Sequence, residues 1–185
     1  MIKPIYLYGS AVLREIAQEV DLSDKEGIQA LVTDLLDTLK ASDGVGLAAP
    51  QIGVSKRIVV VDGTDLVDAY PELKDFRRVL INAVITEESE ATSTFNEGCL
   101  SVPGIYCDVE RPSEITVEYY NEKLEKVTEH LKGFGCRMVQ HELSHLDGDL
   151  FTDHVSNIRK KIIEKKLKKI SHGEIKARYS TKLVK

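Results

Sequence analysis

His141 and His145 stand four residues apart with Glu142 between them, in the stretch QHELSH. On a helix, positions i and i+4 stack one turn apart on one face, so the two imidazoles can reach one ion. A glutamate one residue past the first histidine lies beside such an ion without binding it, where it can exchange protons with a water. The pattern points to metal-assisted hydrolysis. The blander reading is two ordinary histidines on a polar helix face. Burial separates the two readings, because unpartnered histidines beside a carboxylate are costly inside a protein.

A hydrolytic site of this kind takes three protein ligands and keeps one position open. Downstream, the candidates are Asp147, Asp149, Asp153 and His154. Asp147 falls on another face of the helix, and the other three begin a new segment. Upstream, Cys99 in NEGCLSVPG sits in a polar, glycine-flanked turn and is the better candidate. Cys107 and Cys136 lie in apolar patterns and read as small buried hydrophobes. Gln51 is the one amide side chain of the loop GVGLAAPQ. It either ties down a turn or, beside a metal, donates to a developing oxyanion.

The elements around these residues follow from periodicity. GFGCRMVQHELSHLDG, residues 133–148, predicts a helix of about three turns. Cys136, Val139, Leu143 and Leu146 follow one apolar face, and Met138 shares the opposite face with His141 and His145. A helix apolar on both sides is expected to be central and buried. Residues 24–42 predict an amphipathic helix with Ile28, Leu31, Val32, Leu35, Leu36 and Leu39 on one stripe. RIVVVD, RVLINAVI, EITVEYYN and KVTEHLKG are rich in β-branched residues and predict strands. GVGLAAPQIG is bounded by glycines and reads as a loop or a tight extended segment. A last helix from about Ser156 places Ile158, Ile162, Ile163, Leu167 and Ile170 on one side and lysines elsewhere. The expected class is α+β, with short β-strands and sheets packed around a central metal-binding helix and a C-terminal helix, all in one domain over residues 1–185.

Composition narrows the classes further. The 185 residues are 42% hydrophobic and 30% charged, a folded rather than disordered balance. No apolar run approaches the roughly 20 residues of a membrane span. The opening MIKPIYLYGS does not read as a secretion signal. Three cysteines are too few and too odd a set for a disulfide framework, which favours a reducing compartment, so cytoplasmic residence is expected. The net charge of -5 hides an asymmetry: from Asn157 onward there are 11 Lys/Arg against two Asp/Glu. A basic tail on an acidic body fits either an RNA-rich, anionic partner or a plain solvated helix face.

GVGLAAPQ, EGCLS and QHELSH, in this order and at these separations, resemble the three signature motifs of the peptide deformylases. The likeness runs over about residues 1 to 170. The resemblance implies a metal-dependent hydrolase that removes the N-terminal formyl group from the formyl-methionine of newly synthesised polypeptides, releasing formate. Position by position, it implies that Cys99, His141 and His145 hold the metal and that Glu142 is the general acid/base. It gives Gln51 and the backbone N–H of Leu100 to an oxyanion hole. It gives Gly46 to backbone pairing with the substrate peptide, and Val45 and Met138 to a pocket for the methionine side chain. The implied cofactor is Fe2+, with Zn2+ or Ni2+ able to substitute. The implied partners are formyl-Met nascent peptides, and the basic final helix adds the expectation of a ribosome contact. Neither a membrane nor specific DNA is expected as a partner. One position departs: the family's usual aspartate between the glutamate and second histidine is Ser144 here. That acid is expected to pair with a basic residue such as Arg111, so its support is in question. The rival classes are a metallo-endopeptidase and an inactive metal-binding homologue.

Overall fold

The buried run IVVVD sets the layering of the computed structural model, which describes residues 1–185. In chain order the elements are β1 (Ile5–Tyr6), α1 (Lys25–Ala41), β2 (Gly46–Ala48), β3 (Ile58–Asp62) and β4 (Arg77–Glu88). There follow β5 (Thr92–Cys99), β6 (Val102–Pro112), β7 (Glu114–Tyr120) and β8 (Lys126–Lys132). The chain closes with α2 (Gly133–His145), α3 (Asn157–Ser171) and β9 (Thr181–Lys182). Five strands form one antiparallel sheet in the order β2-β3-β4-β7-β8. Side chains alternate across a strand, and β3 uses both faces. Ile58 and Val60 pack with Ile28, Val32, Leu35 and Leu39 of α1. Val59 and Val61 pack with Met138, Val139 and Leu143 of α2. The predicted α+β class is the class observed, with α1 and α2 on opposite faces of the sheet.

Helix α1 starts where expected: the Asp24 carboxylate accepts the Gly27 N–H, Glu26 sits in the first turn and Lys40 in the last. These charges match the helix dipole. Helix α2 follows β8 without a loop. Gly133 makes the corner at φ 66°, a left-handed conformation that glycine adopts without steric cost. The segment GVGLAAPQIG is extended at β2 and then turns through a short 3-10 helix, Ala49–Ile52.

Two expectations need correction. The region from Thr92 to Pro112 yields no strands in the sequence reading beyond a turn at Cys99, yet it is an antiparallel hairpin. Cys99 ends β5 and pairs with Val102 across a turn made of Leu100 and Ser101. The pattern of β6 is regular, with Ile105, Cys107 and Val109 buried between exposed Tyr106, Asp108 and Glu110. The polar run of β5 masked it. The stripe predicted for α3 is also split. Ile163 and Ile170 are buried and Leu167 half-buried, whereas Ile158 and Ile162 are 75% and 61% exposed. At 3.6 residues per turn, Ile158 and Ile162 lie on average roughly 125° around the helix from the other three. After α3 the chain returns, and β9 lies parallel to β1.

Candidate metal centre

Nearly all of α2 is buried, including Met138, His141, Glu142 and His145. The blander reading of a polar helix face is excluded. The Cys99 Sγ lies 3.4 Å from the His145 Nε2. Ligating atoms of Cys99, His141 and His145 all fall within 4.8 Å of one another. Two ligands of a tetrahedral ion, with bonds of about 2.0–2.3 Å, stand about 3.5 Å apart. One thiolate and two imidazoles form a donor set for a divalent transition ion with a fourth position free.

His141 is oriented from behind. Its Nδ1 meets the Glu97 Oε1 at 2.7 Å, which leaves Nε2 for an ion. Glu97 also accepts from Arg111 Nε and Nη2 at 2.8 and 2.9 Å and from Arg137 Nη1 at 2.7 Å. Burial alone would raise the Glu97 carboxyl, but the bonds to His141 and Arg111 outweigh it and hold it well below the usual carboxylate range. Arg137 further donates to the carbonyls of Val109 and Ser93, so this clasp fastens the hairpin to the helix. Burial keeps His145 far below its ordinary pKa, in the neutral form that binds metals.

Glu142 faces the same space. Its Oε2 is buried and has no protein partner. Burial pushes its carboxyl up to about 7. The other oxygen lies against β2: a Cβ on Gly46 would sit 2.3 Å from the Glu142 Oε1, so only glycine leaves room for the carboxylate. Gln51 ties down its own turn and also reaches the hairpin that carries Cys99. Its Oε1 accepts the Ala48 N–H at 2.8 Å, and its Nε2 reaches the Cys99 Sγ at 3.4 Å and the Ser101 Oγ at 3.1 Å.

These groups border a cavity of about 580 Å³. All the expected site residues line it except His145, with Val45, Met138 and Leu100 among the apolar ones. A volume of this size suits a small ligand or a peptide end. The downstream acids are occupied elsewhere: Asp147 by Arg57, Asp153 by Arg14 and Asp149 by His154. Arg111, the expected partner of the acid that this chain lacks at position 144, has another carboxylate. It is bound to Glu97 rather than waiting for an acid at position 144, and the Ser144 Oγ donates to the His141 carbonyl at 2.7 Å. Sequence reasoning missed Glu97, Arg137 and Tyr179. Arg137 carried a usable signal, standing one turn before His141 on the same helix face.

Residues 2–161 match the sequence profile of the family described as polypeptide deformylase. The chain belongs to the peptide deformylase family. It is 45% identical over 171 residues to the peptide deformylase of Fusobacterium nucleatum, covering 92% of this chain and 93% of that protein. To the peptide deformylase of Christiangramia forsetii it is 40% identical over 186 residues, covering 97% and 94%. Among solved structures, a Plasmodium falciparum peptide deformylase superposes with a TM-score of 0.82 at 37% identity, over 91% of this chain and 95% of that one. The peptide deformylase of Thermus thermophilus gives 0.80 at 37%, over 94% and 99%. This deformylase chain is therefore an enzyme, a hydrolase of N-terminal processing in protein biosynthesis, with a Cys-His-His group suited to a metal cofactor. No helix is long and apolar enough to cross a membrane.

Proposed function

We propose that this chain hydrolyses the formyl group from the formyl-methionine of newly made polypeptides at the Cys99–His141–His145 centre, releasing formate and a free amine. One observation carries the reading: an unpartnered Glu142 oxygen buried beside three converging metal-ligating atoms, in a peptide-sized cavity. A divalent ion held there would supply Lewis acidity and bring the pKa of a water ligand toward about 7. Glu142 takes the proton of the water that attacks the formyl carbon, then gives it to the nitrogen as the C–N bond breaks. Gln51 Nε2 and the Leu100 N–H stand ready to hold the oxygen on which charge develops. β2 is an edge of its sheet, so Gly46 has a free backbone side on which an extended peptide can add as a strand. Val45 and Met138 offer an apolar wall for the methionine side chain.

The same reading extends to the ion and the setting. A thiolate with two imidazoles suits Fe2+, the metal expected in the cytoplasm, and accepts Zn2+ or Ni2+. Exposed Lys165, Lys166, Lys168 and Lys169 on α3 offer phosphate contacts to ribosomal RNA, which weaken steeply as salt rises. The test presents formyl-Met, acetyl-Met and internal-bond peptides to enzyme loaded with each metal, and measures formate and free amine. Release confined to formyl peptides supports the reading. Cleavage of internal bonds, or no turnover with a bound metal, overturns it.

A further inference from the structure

The cavity has a wall that none of the three motifs supplies. Lys176, Ala177, Arg178 and Tyr179 line it, from the segment between α3 and β9 that lies beyond residue 161. The wall is anchored at both ends. Ile175 and Leu183 pack on the cluster formed by the hairpin and α3. Ser180, Lys182 and Val184 carbonyls accept from Ile5, Leu7 and Ala11 at 2.9, 2.9 and 3.0 Å.

Between these anchors, the Tyr179 hydroxyl donates to the Leu100 carbonyl at 2.6 Å. Leu100 and Ser101 form the turn that follows Cys99, and their peptide planes have few other restraints. The Ser101 carbonyl accepts from the Tyr8 N–H at 2.8 Å, and the Ser101 hydroxyl receives Gln51 Nε2. Tyr179 completes this set by fixing the Leu100–Ser101 plane beside the Leu100 N–H. The wall also carries two exposed cations. Neither Lys176 nor Arg178 forms an ion pair, while Glu97 in the same lining is already held by Arg111 and Arg137. A formylated N-terminus carries no charge, so any charge presented to Lys176 and Arg178 comes from side chains further along the peptide.

We propose that residues 176–179 belong to the substrate site: Tyr179 is a positioning residue for the Leu100 turn, and Lys176 with Arg178 favours peptides bearing acidic side chains after the formyl-methionine. The proposal rests on the deformylase reading of the cavity. The charge preference is modest, about two- to fivefold for each exposed contact, and fades as salt screens it. Loss of one hydrogen bond that matters in the transition state lowers turnover by about tenfold.

The experiment uses three C-terminally amidated peptides that begin with formyl-Met-Ala and continue with two aspartates, two serines or two lysines. Formate release is measured at low and high salt. The wild type is expected to favour the acidic over the basic peptide in kcat/KM at low salt, mainly through KM. Lys176→Glu with Arg178→Glu is expected to reverse that order. Tyr179→Phe keeps the ring and its packing; it is expected to lower kcat about tenfold on all three peptides while KM stays within about twofold. An unchanged acidic-to-basic ratio in the double variant overturns the charge assignment. Full kcat in Tyr179→Phe, or a rise in KM alone, overturns the positioning role. A wild type that releases formate from none of the peptides sinks the deformylase reading itself, a result that differs from both.

Discussion

Helix α2 brings two of the three candidate ligating side chains from five consecutive residues, whereas Cys99 arrives 46 residues before His145 at the end of a hairpin. The helix brings its pair together by backbone geometry, since i and i+4 share a face, and Glu97 then sets the His141 ring. The hairpin has no such internal ruler. It is placed by the carboxylate of Glu97, which binds Arg111 on its own partner strand and Arg137 and His141 on α2. One region is thus specified locally and the other by a buried ionic clasp. Removing one partner of a buried ion pair typically costs about 3–5 kcal/mol, because the remaining charges lose their compensation. The hairpin should therefore fail first when the site is disturbed.

The largest effect should come from the helix. Glu142→Gln keeps the shape of the side chain and removes its proton exchange, so turnover should fall by about 10²- to 10⁴-fold. Metal content, measured by atomic absorption, should stay at the wild-type level. Near-normal turnover in the loaded variant would take the proton step away from α2.

Glu97→Gln attacks the clasp. Competition with a chelator should show metal affinity about 10- to 100-fold weaker, with a lower urea midpoint. Should only turnover drop while metal retention holds, the hairpin is docked by something other than this carboxylate.

Ser144→Asp is a milder change. The Ser144 hydroxyl already serves the His141 carbonyl, and Arg111 is taken by Glu97. Added acid near the clasp should alter stability by no more than about 1 kcal/mol and leave the order of preferred peptides unchanged. A large gain in metal retention would show that Arg111 can be shared between two acids.

The smallest effect is assigned to an exposed pair, Asp153 with Arg14, which joins the segment after α2 to the chain's first turn at 2.6 Å. Burial raises the Asp153 carboxyl, but the hydrogen bond from Arg14 prevails and holds it at about 2. A depressed folded-state value means that its stabilisation is present above the unfolded value near 3.8 and is lost as pH falls toward 2. Denaturation of Asp153→Asn and the wild type should differ slightly at about pH 6 and converge by about pH 2. A gap that persists in acid would mean that the aspartate acts through packing.

The same contrast explains what the sequence made readable. α1, α2 and the hydrophobic strands announce themselves because their apolar residues recur at fixed intervals. The candidate ligand pair His141 and His145 is readable for the same reason. β5 was hidden by Thr92, Ser93, Thr94 and Asn96, whose polar character resembles a loop. Glu97 was hidden because its importance depends on arginines 14 and 40 residues away. Tyr179 stands 79 residues from the carbonyl it holds, and no local pattern marks such a pairing. Position-specific motifs supplied the roles that periodicity could not.

Gly46 draws a different kind of consequence from the close approach of Glu142 to β2. Its contribution is an absence, the volume a methyl group would occupy. Every other side chain is larger at that point, so even alanine would press on the carboxylate and displace it from its place. In a library of random variants, position 46 should therefore behave like a reactive residue and tolerate almost nothing, though it offers no reactive atom. Inheritance at this site would preserve an empty space as strictly as it preserves the carboxylate that fills it.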